Sequence, residues 1–116
     1  MELHNYKATI ISVYDGDTCT ADIDLGFYMT LRKVKLRLAA IDTEEMRGGT
    51  DEQKKKAVEA RDWLREQVLN QNVEIKCIGK GKYGRWVVYL YKNIDDTKTN
   101  INEHMIKLGL AKPYGE

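Results

Sequence analysis

Two short segments, 37–45 and 82–85, together with the turn 15–18, contain most of the residues whose types and spacing suit catalysis. The candidate residues are Asp17, Arg37, Asp42, Thr43, Glu45, Lys82, Tyr83 and Arg85. Carboxylate and hydroxyl oxygens suit a hard cation such as Ca²⁺, whereas the planar guanidinium of arginine suits a phosphate. A site that combines both is most simply a phosphodiester site, so the sequence indicates chemistry on a phosphate ester.

Each of these segments also has an ordinary structural explanation when it is taken alone. Asp17 can be a loop carboxylate, and Tyr83 next to glycine fits a hairpin connection. An alternative for Arg37 is a surface ion pair with Asp22 or Asp24. Their occurrence together in one small chain favours the functional explanation.

Length and composition favour a single domain that spans residues 1–116. The chain is 42% hydrophobic and 32% charged, without an apolar run long enough to cross a membrane. The first residues lack the profile of a secretory signal peptide, so we expect a cytoplasmic or otherwise intracellular protein, with a secreted mature form left open. The formal net charge is only +1, so affinity for phosphate must come from local arrangement. A monomer is the default expectation.

The elements that must position these residues begin with three consecutive strands. Residues 6–14 are rich in β-forming residues, and apolar and polar residues alternate over 18–25 and over 33–40. The segment 24–26 offers a turn between the second and third strands. The pattern predicts three antiparallel strands, of which the third continues to residue 41.

The alternation in the third strand indicates where Arg37 points. Arg37 has the opposite parity to Leu36 and Leu38, so we expect its side chain to lie away from the core, where it can meet a ligand. Asp42 and Thr43 follow where the strand gives way to a loop. Binding and catalytic groups are often held at such positions by a rigid scaffold.

The rest of the chain predicts one long helix, two strands and one short helix. A capping box and an apolar stripe with spacings of three and four residues predict a helix over 51–69. Alternation predicts strands over 73–77 and 85–91, and Asn100 is the N-cap of a short C-terminal helix. A mainly β chain with α-helices, in which a helix lies between strands three and four of five, has the layout of an OB-fold barrel.

The same motifs resemble those of the staphylococcal (thermo)nuclease family. The matching segments are Asp15-Gly16-Asp17-Thr18, Arg37, Asp42-Thr43-Glu44-Glu45, Lys82-Tyr83-Gly84-Arg85, Asn102-Glu103 and Leu108-Gly109-Leu110-Ala111. They occur in the family's order and at similar spacings, and they cover roughly residues 8–112. The resemblance implies an OB-fold and a Ca²⁺-dependent cleavage of DNA and RNA that leaves 3′-phosphate ends.

The resemblance also implies a metal site and a group that acts on water. Asp17, Asp42 and the backbone of Thr43 match the positions that hold Ca²⁺ in this family. Glu45 matches the residue beside the metal that orients or deprotonates the attacking water. A carboxylate in reach of a metal-positioned water is chemically suited to accept its proton.

The remaining matches concern the substrate, which the resemblance implies is nucleic acid. Arg37 and Arg85 correspond to the arginines that bind the scissile phosphate and stabilise the charge that develops on it. Lys82 and Tyr83 correspond to positions near the phosphate of the bound nucleotide. Arginine can donate to two phosphate oxygens at once, which explains why this residue type suits the role.

Four departures from the family pattern bear on substrate binding. Glu44 replaces the usual proline before the catalytic glutamate, and Gly81 replaces the aspartate that usually precedes Lys-Tyr-Gly-Arg. The usual final helix is missing, and Tyr114 does not align cleanly with the family's nucleotide-stacking tyrosines. We therefore expect a weaker hold on the substrate than in a typical member.

The main alternative is a non-catalytic OB-fold module that binds nucleic acid or a protein partner, and a structural assembly module is a third possibility. A pure binder gains nothing from Asp17, Asp42 and Glu45 close to phosphates, because uncompensated carboxylates repel them. Their presence beside two arginines favours an enzyme.

Overall fold

The computed structural model describes residues 5–44, 49–81 and 83–114. Its helices and strands, in chain order, are β1 (Asn5–Asp15), β2 (Thr18–Gly26), β3 (Met29–Leu38), β4 (Ile41–Asp42), α1 (Asp51–Val68), β5 (Asn72–Lys80), β6 (Trp86–Ile94), β7 (Thr97–Asn100), α2 (Ile101–Lys107) and β8 (Lys112–Pro113).

Five of these strands close into a barrel, which confirms the predicted OB-fold. β1 pairs antiparallel with both β2 and β5. On one side β2 pairs antiparallel with β3, and on the other side β5 pairs antiparallel with β6. A parallel contact between β3 and β6 closes the ring. β7 extends the sheet beyond β6, and β4 pairs with β8 as a separate small ribbon. Closure removes exposed strand edges around the barrel.

The barrel interior contains the apolar half of each alternating pattern. Ile10, Ala21 and Leu36 are buried there with 0–1% of their surface exposed, and the neighbouring strands contribute in the same way. Helix α1 covers the barrel with the stripe that the sequence predicts, which consists of Ala57, Ala60, Leu64 and Val68. Neither helix in the described part of the chain is both long and apolar enough to cross a membrane.

The start of α1 has the capping box that the sequence predicts. The Thr50 hydroxyl accepts a hydrogen bond from the Gln53 backbone N–H at 3.1 Å, and the Gln53 side chain accepts one from the Thr50 N–H at 2.8 Å. These bonds satisfy two donors that the first turn of the helix leaves free. The helix begins at Asp51 as expected and ends at Val68, one residue earlier than predicted.

The β2–β3 hairpin differs from its predicted form. The turn lies at Phe27 and Tyr28, after the predicted 24–26 segment, because β2 continues to Gly26 and pairs there with Met29. At the other end, β3 stops at Leu38 instead of continuing to residue 41.

The chain changes direction between β3 and β4. Ala40 has a positive φ of 63°, so the alternation is broken: Ala39 is buried and Ala40 is exposed, opposite to the predicted parity. The two-residue strand β4 then carries Asp42 and pairs with β8 instead of with the barrel strands. This break separates the segment with Asp42 and Thr43 from the regular sheet.

Candidate active site

The turn between β1 and β2 places Asp17 at the centre of the site. The Asp17 residue is 7% exposed, and its Oδ2 accepts a hydrogen bond from the Thr43 backbone N–H at 3.2 Å. Its other oxygen, Oδ1, accepts from the Thr18 hydroxyl at 3.1 Å. The Asp17 carboxylate is therefore fixed by its own turn on one side and by the segment after β4 on the other.

A glycine makes this close approach possible. A Cβ atom at Gly16 would lie 2.7 Å from the Cβ of Ala60 in α1 and 2.8 Å from the Cγ2 of Thr43. Real Cβ atoms do not come that close to carbon, so a larger residue would push the turn away from the helix and from Thr43. Gly16 is thus required by packing as well as by turn chemistry.

Arg37 lies between two carboxylates. Its Nη1 is 3.5 Å from Asp17 Oδ2, and its Nη2 is 3.8 Å from Asp42 Oδ1. Nη1 also donates to the Leu38 carbonyl at 2.7 Å, and only 17% of the side chain is exposed. The predicted parity is confirmed, and the alternative pairing of Arg37 with Asp22 or Asp24 is not what the structure has.

Arg85 approaches the same site from the β5–β6 connection. Its Nη1 donates to the Thr18 hydroxyl at 3.3 Å, and Thr18 is the direct β-partner of Arg37. The Arg85 guanidinium also lies 5.8 Å from the centre of the Tyr83 ring, which is otherwise exposed. Thr18 therefore accepts a hydrogen bond from one predicted phosphate-binding arginine and is the strand partner of the other.

The turn that presents Arg85 depends on the glycine that departs from the family pattern. The Gly81 N–H donates to the Arg85 carbonyl at 2.7 Å. A Cβ at Gly81 would lie 3.2 Å from that same carbonyl oxygen, which is tighter than most real contacts. Gly81 therefore closes the turn through its backbone.

The C-terminal ribbon supports the other side of the site. β8 pairs with β4, which sets Lys112 opposite Asp42. The Tyr114 N–H donates to the Ala40 carbonyl at 3.0 Å, and the Tyr114 ring lies 5.5 Å from the Arg37 guanidinium carbon. The sequence did not place Tyr114, because its position follows from the pairing of two very short strands that no pattern predicts.

Asn102 is a buried residue that sequence analysis matched to the family without giving it a role. Its Nδ2 donates to the Ala39 carbonyl at 2.8 Å and to the Val88 carbonyl at 3.1 Å, and its Oδ1 accepts from the Leu90 N–H at 3.1 Å. The Asn102 side chain of α2 thus joins the end of β3 to β6. An asparagine two residues after a helix N-cap, on the buried face, was the available signal.

One ionisable group at the site has a shifted pKa. The pKa of the Asp15 carboxyl is raised to about 6, mainly by burial and secondly by the nearby side chain of Asp17. The Asp17 N–H donates to Asp15 Oδ1 at 3.1 Å and opposes this shift without cancelling it. Asp15 therefore holds its proton to a higher pH than Asp residues in water do.

The structure brings together most of the predicted site residues. Those that meet are Asp17, Arg37, Asp42, Thr43 and Arg85, and Tyr83 lies beside Arg85. Glu45 and Lys82 lie outside the described residues. The metal, catalytic and substrate roles of all eight residues stay predictions.

The oxygen donors at the site match a hard cation in type. In residues 5–44, 49–81 and 83–114, no group of three or more His, Cys, Asp or Glu side chains is placed to hold a metal ion. Asp17 and Asp42 nevertheless flank one guanidinium, and the Thr43 hydroxyl is buried without a hydrogen-bond partner among the described residues. A cation here would rely on water and substrate for its remaining ligands.

A groove borders Asp42 and Thr43. It has a volume of about 400 Å³ and runs between the start of α1 and the segment after α2. Its lining includes Asp42, Thr43 and Glu44 together with the charged residues Lys56, Glu59 and Lys112. Glu44, which replaces the family's proline, therefore adds a negative charge to this groove.

Comparison with known proteins agrees with the motif resemblance. The model of the family described as staphylococcal nuclease homologue matches residues 35–115. This match covers the two arginines, Asp42 and both helices.

Several curated proteins are similar at low identity. An uncharacterized endonuclease of Haemophilus influenzae is 31% identical over 90% of this chain and 51% of its own length. Endonuclease Htp3 of Saprolegnia parasitica is 26% identical over 93% of this chain and 56% of its own length. An uncharacterized protein of Methanocaldococcus jannaschii is 25% identical over 95% of this chain and 60% of its own length. The chain thus spans little more than half the length of these relatives.

Proposed function

Because the chain belongs to the family of staphylococcal nuclease homologues, we propose that it is a nuclease that hydrolyses phosphodiester bonds of DNA, RNA or both. We propose further that the reaction has low sequence specificity, depends on Ca²⁺ and leaves 3′-phosphate ends. Relatives that are named endonucleases are consistent with the hydrolase part of this proposal.

The observation that carries the proposal is the arrangement of the two arginines around Thr18. Arg37 is held by Asp17 and Asp42, and Arg85 is held by the Thr18 hydroxyl. A phosphate bound between the arginines meets permanently charged donors that are already in place, so little reorganisation is needed when negative charge develops. The donors also bind the phosphate in a fixed orientation for attack by water.

Ca²⁺ is proposed on the chemistry of the oxygen donors. Asp17, Asp42 and the Thr43 carbonyl would hold it, and when bound it would polarise a phosphoryl oxygen and position the attacking water. Few protein oxygens are available, so we expect weak binding without substrate, on the order of 10⁻⁴–10⁻³ M. Glu45 is the proposed group that takes a proton from water.

The carboxylates make simple nucleic-acid binding a less suitable function. Without a cation, Asp17 and Asp42 place negative charge within 4 Å of Arg37, and this charge repels a phosphate. A binding module would lose affinity for no gain, whereas a metal-dependent hydrolase needs these groups.

The test is digestion of single-stranded and duplex DNA and RNA in Ca²⁺ or in EDTA, with end-group analysis of the products. We expect cleavage only with Ca²⁺, and about 10²–10³-fold slower cleavage by Arg85→Ala, the usual cost of one preorganised donor. Arg61→Ala is the matched control, because Arg61 pairs only with its neighbour Asp62 on α1 among the contacts described. Equal rates for Arg85→Ala and Arg61→Ala would refute the assignment, and binding without cleavage would point to the non-catalytic alternative.

A further inference from the structure

The tip of the β2–β3 hairpin has a costly conformation. Phe27 and Tyr28 form the two-residue turn, with φ values of 52° and 59°. Two-residue turns in which both residues have positive φ favour Asn-Gly, because most residues other than glycine, asparagine and aspartate are strained at positive φ. Bulky residues in this region are uncommon, and such strain tends to be kept where it serves a function.

The two aromatic rings gain nothing from packing that would offset this strain. Phe27 is 97% exposed to solvent, and Tyr28 is fully exposed. The hairpin would form more easily with small turn residues, and the core would be unchanged. We call these two residues the aromatic tip.

A row of cations leads from the aromatic tip to the active site along β3. The chain has a bulge where Arg32 and Lys33 lie opposite the single residue Asp22. This bulge keeps Arg32 on the same outer face as Lys35 and Arg37. We call Arg32, Lys33, Lys35 and Arg37 the basic row.

The aromatic tip and the first cation of the basic row border one groove. Tyr28 and Arg32 both line this groove of about 910 Å³, which continues across the sheet to residues of β1, β5, β6 and β7, whereas Lys33, Lys35 and Arg37 are not part of its lining. Lys33 and Lys35 are exposed, so their charges are accessible along the strand. Exposed aromatic rings together with a track of cations form the usual binding surface for single-stranded nucleic acid, in which bases stack and phosphates follow the charges.

We propose that the aromatic tip and the basic row form a second binding subsite for single-stranded nucleic acid, continuous with the active site. This inference rests on the proposed nuclease function. One strand would pass from the scissile phosphate at Arg37 along β3 to the tip, where its bases stack on Phe27 and Tyr28. The distance from Tyr28 to Arg37 is about 30 Å at ~3.3 Å per strand residue, so the subsite spans several nucleotides.

This distance distinguishes nucleic acid from a membrane surface. An amphipathic segment enters the interface of a bilayer by only about 5–10 Å, so with β3 along the bilayer normal lipid would contact the tip and leave most of the basic row in water. A nucleic-acid strand can contact the whole row and end in the active site. Continuity with that site therefore favours nucleic acid.

Two carboxylates near the subsite limit its affinity and provide a test. Asp22 Oδ2 is 3.8 Å from Arg32 Nε, and Asp24 accepts a hydrogen bond from the Gly26 N–H at 2.8 Å. Asp22 partly neutralises the row, so replacing it by asparagine should strengthen the subsite. Asparagine keeps the oxygen that accepts from the Lys33 N–H.

The experiment compares a single-stranded oligonucleotide long enough to reach both ends of β3 with a dinucleotide, using the full chain in Ca²⁺. We expect the double variant Phe27→Asn/Tyr28→Gly to raise the KM of the oligonucleotide about tenfold or more, the usual effect of losing base stacking. The kcat of this variant with the oligonucleotide should not change, and neither should its kcat and KM with the dinucleotide. Because Asn-Gly suits this turn, misfolding would not explain the loss.

Three further variants sharpen the result. Phe27→Leu/Tyr28→Leu keeps the apolar surface without aromatic faces, so it should lose oligonucleotide affinity as Asn-Gly does. Lys35→Ala should raise the KM of the oligonucleotide, whereas the control Lys55→Ala on the exposed face of α1 should leave this KM unchanged. Asp22→Asn should lower it. An unchanged oligonucleotide KM in the Asn-Gly variant, or parent-like affinity in the Leu-Leu variant, would overturn the proposal.

Failure of the proposed function gives a different pattern. If the parent cleaves neither substrate, the nuclease assignment fails, and the subsite is then tested by fluorescence anisotropy of the labelled oligonucleotide in EDTA. Weaker binding by the Asn-Gly variant supports the subsite, and equal binding overturns it. Binding of the parent, but not of this variant, to vesicles containing phosphatidylserine, with oligonucleotide binding unchanged, would assign the tip to membranes instead.

Discussion

At its C-terminal end, β3 presents Arg37 between two carboxylates with 17% of the side chain exposed, whereas at its N-terminal end it begins after a turn whose aromatic rings are almost completely exposed. The Leu38 N–H donates to the Asp17 carbonyl at 2.9 Å, and the Ala39 N–H donates to the Val88 carbonyl at 2.7 Å. The turn at Phe27 has a hydrogen bond from the Gly26 N–H to the Asp24 carboxylate at 2.8 Å, but its two rings are exposed to solvent. One strand therefore has an end that is fixed by many contacts and an end that is strained and open.

The two ends of β3 illustrate two roles that residues can have at a site, preorganised charge stabilisation and exposed contact surface. At the fixed end, the geometry is set before a ligand arrives, which is what charge stabilisation requires. At the open end, exposed rings are available for contact but contribute little to folding. Substitutions at the fixed end should therefore cost rate or stability, and substitutions at the tip should cost binding alone.

The largest effect is expected from Arg37→Ala at the fixed end. Losing one preorganised donor should lower kcat about 10²–10³-fold. Arg37→Lys should restore little of this loss, since an ammonium lacks the planar fork that meets two phosphate oxygens. Steady-state cleavage of a dinucleotide in Ca²⁺ measures the effect, with thermal unfolding as a check of the fold. A loss of less than about tenfold in a folded variant would show that Arg37 does not contact the phosphate.

The next effect concerns Asn102, which joins the ends of β3 and β6. Asn102→Ala leaves two carbonyls with fewer donors and the Leu90 N–H without its partner, all in a buried position. We expect a loss of about 2–3 kcal/mol in the free energy of unfolding, from the cost of unsatisfied buried groups. Urea denaturation measures it.

Asn93→Ala is the matched control, because Asn93 is exposed on β6. It should change the free energy of unfolding by no more than about 0.5 kcal/mol. If Asn102→Ala costs no more than this control, the fixed end is not held by α2.

Local patterns explain how much of the fixed end could be predicted. The capping box of Thr50 and Gln53 and the outward parity of Arg37 both follow from neighbours in sequence, and the structure has both. The contacts of Asn102 do not, because its partner Ala39 is 63 residues away. The pairing of Tyr114 with Ala40 is also long-range and leaves no periodic signal.

The open end could not be predicted for a different reason. Turn propensity placed the turn at 24–26, where glycine is available, but the observed turn uses two aromatic residues at positive φ. Register against β1 and β3 decides the position, since the core residues Ala21 and Ile23 must face inward. Tertiary packing therefore overrode local preference at the turn where bases are proposed to stack.

A further effect at the fixed end comes from Asp15 and depends on pH. Its pKa of about 6 in the folded protein lies above the value of about 3.9 expected in the unfolded chain. Between these values the folded state binds more protons, so the contribution of Asp15 to stability falls as pH rises from about 4 to about 6 and is then constant.

Asp15→Asn should remove this slope while it keeps an acceptor for the Asp17 N–H. The measurement is urea unfolding in EDTA across this pH range, so that no cation affects the carboxylates. The parent should lose stability relative to the variant as pH rises. A difference that does not vary with pH would show that Asp15 is not desolvated by the turn.

The smallest effect is expected at the tip, and its sign is opposite. Phe27→Asn/Tyr28→Gly should stabilise the chain by about 0.5–1 kcal/mol, because both residues suit positive φ and no buried contact is lost. Urea unfolding measures this change, and Ser12→Ala on β1 serves as a variant outside the hairpin. Higher stability together with weaker binding of the long oligonucleotide would mean that the chain keeps a strained turn for its ligand. A loss of stability would mean that the rings pack against the protein in solution, and the contrast between the two ends of β3 would then disappear.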